Sequence, residues 1–201
     1  MNHARRGTIL LALALGLTRT LSPSPAAADG PLPKASPGKE DAAAKYFTNT
    51  EVVDQDGKPR RFYDDLLRGK KVLVNFAFTS CKGACPTMTA NLVKVQKLLG
   101  ARVGKEIHMI TVSVDPENDT PAALKQYTAQ RGVGAGWYFL TGAPENVNTV
   151  LGRLGSLVSK PDDHATTLLV GNLATGHWLK TQATARPEDI VYVVNHLDDA
   201  E

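Results

Sequence analysis

Residues 72–86 read VLVNFAFTSCKGACP, and the fold turns on how this stretch is understood. Residues 72–78 are nearly all apolar, which predicts a central strand covered on both faces, since a strand with one wet face alternates apolar and polar residues. A short loop follows, and then a helical pattern runs to Leu99 with Met88, Leu92, Val95 and Leu99 on one side. Gly100 suits the C-terminal cap of that helix. Cys81 and Cys85 therefore sit where a buried strand feeds a helix N-terminus.

Further along the chain the same alternation repeats. Residues 107–114 read as the next buried strand, and Asp119-Thr120-Pro121 caps and starts a helix reaching about Arg131. Residues 137–140 predict a third strand and residues 144–154 a third helix. Residues 166–170 and 177–180 predict a hairpin around Gly171-Asn172 and Gly176, and residues 187–197 a closing helix. Upstream, Val52-Val53 and Arg61-Phe62 flank Asp-Gln-Asp-Gly as a small opening hairpin. This order predicts an α/β fold, a thioredoxin-like sandwich whose central mixed sheet is flanked by helices, with an N-terminal hairpin extension.

The N-terminus carries a different signal. Arg5 and Arg6 precede an apolar run at residues 9–17, and Ala26-Ala27-Ala28 follows, the order of a secretory signal peptide over residues 1–28. The apolar run is too short to span a bilayer, Thr18-Arg19-Thr20 interrupts it, and Pro23 and Pro25 break a continuing helix. The expectation is a cleaved leader, no stable membrane anchor, and an exported, periplasmic, soluble chain. Residues 29–45 are rich in Pro, Ala, Lys and Gly without apolar periodicity and predict a flexible linker ahead of a folded domain at 46–201.

Composition narrows the function classes. With 201 residues, 42% of them hydrophobic and 21% charged, the chain has ample material for a packed core and is not disordered throughout. The formal charge of +3 arises from Arg5, Arg6 and Arg19, and past residue 28 there are 20 basic and 20 acidic residues. A nucleic-acid partner is therefore not expected.

Two cysteines separated by three residues close too small a loop for a useful staple, so chemistry explains them better than a disulfide framework. Unsatisfied N–H groups at the helix start, with Lys82 beside them, are expected to favour thiolates. Residues four apart at a helix start can turn both sulfurs to one side. Such a pair can bind one soft metal ion or act as a redox pair that oxidises to a disulfide.

The run Asn75-Phe76-Ala77-Phe78-Thr79-Ser80-Cys81-x-x-x-Cys85-Pro86 resembles the Sco (SenC) family of copper chaperones. Three more segments agree in order: Ser113-Val114-Asp115-Pro116-Glu117-Asn118-Asp119-Thr120-Pro121, Trp137-Tyr138-Phe139-Leu140-Thr141-Gly142, and Asp162-Asp163-His164-Ala165-Thr166. The resemblance implies a thioredoxin-like fold in which Cys81, Cys85 and His164 bind one copper ion, as Cu(I) or Cu(II). It implies delivery of copper to, or reduction of cysteines in, the dinuclear copper centre of cytochrome c oxidase. The partners it implies are the copper-centre subunit of that oxidase and another periplasmic copper chaperone or thioredoxin-like reductase. Thiolates suit Cu(I), and an added imidazole lets a site hold Cu(II) as well. Many family members have proline after the first cysteine and an acid before the second, where this chain has Lys82 and Ala84.

The alternative is a thiol-disulfide oxidoreductase acting on exported proteins through Cys81 and Cys85; a bland third option is a structural domain with a resting disulfide. A reductase of this fold is expected to carry a cis-proline loop facing the cysteines, where this chain has Ala165-Thr166 after His164. Asp115, Glu117 and Asp119 alternate like part of a calcium loop but lack its glycine and closing glutamate, so a loop and helix cap is expected. Gly132, Gly134 and Gly136 precede a strand rather than follow one, unlike a nucleotide fingerprint. Met88 is expected in the core, and His108, His177 and His196 in structural or surface roles.

Overall fold

The computed structural model describes residues 37–199, so the expected signal peptide and residues 29–36 of the expected linker lie outside the described residues. A helix α1 (Pro37–Phe47) comes first, followed by strands β1 (Glu51–Asp54) and β2 (Pro59–Arg61) and a six-residue π-helical segment (Phe62–Leu67). Then come β3 (Lys71–Ala77), α2 (Ala84–Leu99), β4 (Ile107–Ser113), α3 (Pro121–Arg131), β5 (Trp137–Thr141) and α4 (Pro144–Arg153). The chain ends with β6 (Thr167–Asn172), β7 (His177–Gln182) and α5 (Pro187–His196).

The seven strands form one mixed sheet in the order β2-β1-β5-β4-β3-β6-β7. β3, β4 and β5 run parallel, and β1 and β6 join them antiparallel on either side. All seven residues of β3 and of β4 are buried. Because successive side chains point to opposite faces, both faces of the sheet are covered there, as the apolar run predicts. α2 packs against α3 and α5, while α4 lies against β1, β4 and β5 and meets α1. The expected opening hairpin is present, and it extends the sheet: Val53 pairs with Thr141 of β5.

Two segments depart from expectation. The later part of the expected linker is helical, because Ala43, Ala44 and Phe47 place apolar surface at i, i+1 and i+4 and pack on the core. The Phe47 ring is buried against Phe62 and Trp178, with centroids 6.4 and 5.4 Å away. Phe62, expected in a strand, opens the π-helical segment instead. Phe62, Tyr63, Leu66 and Leu67 all turn inward. The Asp64 N–H donates to Asn49 Oδ1 at 2.9 Å and the Arg61 N–H to Asp65 Oδ2 at 2.8 Å, which ties its start. Among the described residues no helix is long and apolar enough to cross a membrane.

Candidate metal centre

β3 ends at Ala77, and the chain turns through Thr79 to Gly83 before α2 begins at Ala84. The Cys81 N–H closes this turn on the Phe78 carbonyl at 3.3 Å. Cys85, in the first turn of α2, is fully buried, whereas Cys81 in the loop is half-buried. Both are free thiols.

The third element arrives through sheet pairing. β6 runs antiparallel to β3 with Leu169 opposite Val74, so residues preceding Leu169 lie beside residues following Val74. A short 3₁₀ turn, Pro161–Asp163, ends at His164, whose backbone is extended and leads into β6. His164 Nε2 thereby comes to 3.2 Å from Cys85 Sγ. Its Nδ1 lies 3.2 Å from the carbonyl of Ala165 and donates to it, which leaves Nε2 as the nitrogen with a free lone pair. The Phe78 ring meets the imidazole edge-on, with centroids 5.7 Å apart at 90°.

The sulfurs of Cys81 and Cys85 and a ring nitrogen of His164 all lie within 4.8 Å of one another. First-row metal bonds to thiolate and imidazole are about 2.0–2.3 Å long, so one ion between the three reaches each donor with only small side-chain adjustment. The residues fit a soft or borderline ion: two sulfurs, one imidazole and no carboxylate.

The expected thiolate at Cys85 is corrected by the structure. Burial pushes its thiol up to about 12, and the hydrogen bond and charge of neighbouring Cys81 push the same way. Backbone hydrogen bonds at Phe78 and at Cys85 itself favour the thiolate but are outweighed. Lys82 is exposed and does not offset the burial. A protonated Cys85 donates to the free lone pair of His164 Nε2, and an incoming cation must displace that proton.

The remaining sequence candidates fall as expected. Met88 is fully buried in the core. His108 is buried with Nδ1 2.9 Å from the carbonyl of Leu66, and burial lowers its pKa. His196 Nδ1 lies 2.9 Å from the carbonyl of Tyr192, and His177 sits near Asp198. Among the described residues there is no cis peptide bond, so a cis-proline loop does not face the cysteines. The expected Asp119-Thr120-Pro121 start of α3 is present, with Thr120 Oγ1 as the cap accepting the Ala123 N–H, while Asp119 itself is buried and bonded to Thr79. A capping aspartate and a buried one look alike in sequence, and no pattern separates them.

Comparison with known proteins gives the same picture. The chain is 37% identical to the SCO1 protein homolog of Bacillus subtilis over 112 residues, covering 54% of this chain and 56% of that protein. The chain thus spans little more than half the length of that relative. Among solved structures it is similar to a SCO1/SenC family lipoprotein from Bacillus anthracis, with 30% identity and a TM-score of 0.63, covering 73% of this chain and 91% of that one. It is equally similar in shape to BsSco, a member of the Sco family of cytochrome c oxidase assembly proteins in which a disulfide switch was identified. There the identity is 27% and the TM-score 0.63, covering 77% of this chain and 94% of that one. The SCO1/SenC family model matches residues 38–175, a span that holds both cysteines, the histidine and the strands that bring them together, and the chain therefore belongs to the SCO1/SenC family.

Proposed function

We propose that this chain is an exported copper carrier that supplies the dinuclear copper centre of cytochrome c oxidase during its assembly. The observation that carries this is the convergence of Cys81, Cys85 and His164. Copper is the cargo. Cys85 supplies a buried anchor, while Cys81 and His164 are partly exposed and so open to a recipient's ligands. Thiols of the recipient can replace the two exposed donors one at a time, so the ion moves by ligand exchange without ever being free. The family relationship supports the oxidase as destination, since BsSco belongs to a family of oxidase assembly proteins. Arg5, Arg6, the apolar run and Ala26-Ala27-Ala28 support export to the periplasm, and N-terminal sequencing of the mature protein tests cleavage after Ala28.

The test of the carrier role is a copper titration of the reduced, purified protein. One Cu(II) per chain with an intense thiolate-to-copper absorption is expected, and it should vanish when both cysteines become serine. Copper uptake unchanged in that double variant removes the site from the protein's function.

A second role is favoured by the same two free thiols. The Cys81 thiolate attacks a partner's disulfide, forming a mixed disulfide and releasing one partner thiol. Cys85 then loses its proton and displaces the second, leaving the Cys81–Cys85 disulfide and a reduced partner. Rapid exchange with an oxidised dithiol peptide, together with no tight copper binding, would make reduction the main activity.

A further inference from the structure

Asp119 is 2% exposed and makes no ion pair among the described residues. A buried carboxylate without a cation must be held by hydrogen-bond donors, and every donor that reaches this one comes from a strand end near the cysteines. The Thr79 N–H reaches its two oxygens at 3.1 and 3.3 Å, and the Thr79 hydroxyl donates to Oδ1 at 2.5 Å. The Ser113 hydroxyl donates to Oδ2 at 2.6 Å. The Asp119 main-chain carbonyl accepts from the Thr141 hydroxyl at 2.6 Å. One residue thus ties together the ends of β3, β4 and β5.

Thr79 stands two positions before Cys81, at the point where the chain leaves β3. Between Asp119 and Cys81 there is only the turn closed by the Cys81 N–H on Phe78. We propose that Asp119 is the positioning residue of the metal centre: by gripping Thr79 twice it presets the loop so that Cys81 faces Cys85 and His164 before the ion arrives. This rests on the copper reading of the site. Groups behind the ligands of a metal site commonly set its affinity by fixing ligand orientation, and here the fixed part is backbone rather than a ligand side chain.

The experiment compares Asp119→Ala and Asp119→Asn with the unaltered protein. Asparagine keeps one oxygen for Thr79 and lets the Ser113 hydroxyl turn from donor to acceptor, so it should restore most of what alanine loses. Two quantities are read: Cu(II) affinity with its thiolate absorption, and amide hydrogen exchange in the reduced, copper-free protein. For Asp119→Ala the affinity is expected to fall about 10–100-fold, with an altered absorption. Exchange at residues 79–83 should rise by more than at residues 107–113 of the sheet core, the sign of local loosening rather than global destabilisation. Unchanged affinity and absorption, or exchange that rises equally in loop and core, overturns the proposal. If Asp119→Ala does not fold, Thr79→Val removes only the hydroxyl donor and must weaken Cu(II) and loosen the same loop; no change in either overturns it. Unaltered protein that takes up no Cu(II) through its cysteines refutes the copper reading instead, and the exchange comparison still decides whether Asp119 holds the loop.

Discussion

Cys85 Sγ and His164 Nε2 stand 3.2 Å apart although 79 positions separate them in the chain. The antiparallel register of β6 against β3 brings them together, and the Nδ1 contact to the Ala165 carbonyl turns the basic nitrogen toward the sulfur. On the proposed copper reading the imidazole is what separates the two oxidation states, since soft thiolates suit Cu(I) and imidazole nitrogen suits Cu(II). His164→Ala is expected to abolish the Cu(II)–thiolate absorption while Cu(I) binding is only weakened. Visible spectroscopy and competition against a Cu(I) chelator measure the two effects, and an unchanged Cu(II) spectrum would take His164 out of the site.

Burial of Cys85, which pushes its thiol up to about 12, has consequences for pH. The neutral thiol is the stable form of the copper-free protein across the physiological range, so copper must expel a proton and its affinity should rise with pH. In a Cys81→Ser variant the largest cause, burial, remains. Alkylation of Cys85 should then climb about tenfold per pH unit and keep climbing beyond pH 9, where an ordinary thiol has levelled off. A plateau near pH 8.5 would mean that burial does not govern this sulfur.

The strand, loop and helix around the cysteines were legible because each obeys a local rule: an unbroken apolar run for β3, a helical stripe for α2, prolines at the first turns of α3, α4 and α5. The two cysteines stood out from their place at a helix start, where structure and sequence agree that β3 feeds α2. His164 was legible only through the family resemblance, since its approach to Cys85 is a product of sheet register and leaves no local mark. α1 was hidden because two alanines and one phenylalanine carry its contact face, too weak a stripe to stand out in a Pro- and Lys-rich stretch. The state of Cys85 was misjudged for a related reason. Helix-start N–H groups can be read from sequence, but the desolvation that outweighs them depends on the packing of the entire fold.

Trp178 lies across Gly171 of the neighbouring strand, where a Cβ would come within 2.6 Å of the indole ring. The same indole packs on Phe47 of α1, so a displaced ring also loosens the helix that precedes the sheet. Gly171→Ala is expected to destabilise the protein by about 1–3 kcal/mol through overpacking. Urea unfolding followed by tryptophan emission reports both the loss and the ring's new surroundings. Full stability with unaltered emission would show that the strand absorbs the extra methyl without moving the indole.

At the start of β3, Lys71 Nζ stands 3.0 Å from Asp198 Oδ2 and 3.3 Å from the Val194 carbonyl, with only 11% of the lysine side chain exposed. Burial raises the pKa of Asp198, but hydrogen bonds from Thr175, Lys71 and Asn172 outweigh it and hold the carboxyl below its ordinary value. A carboxyl whose folded pKa is depressed contributes stability above its unfolded pKa and loses it as pH falls through the folded one. Asp198→Ala leaves Lys71 charged, nearly buried and with a carbonyl as its remaining partner, at an expected cost of about 3 kcal/mol at pH 7. The gap between variant and unaltered protein should hold down to about pH 4, the ordinary aspartate range, and close as pH falls further. Urea unfolding at pH 7, 5 and 3 traces this course; a gap of constant size at all three would show that the Asp198 charge is not what steadies Lys71.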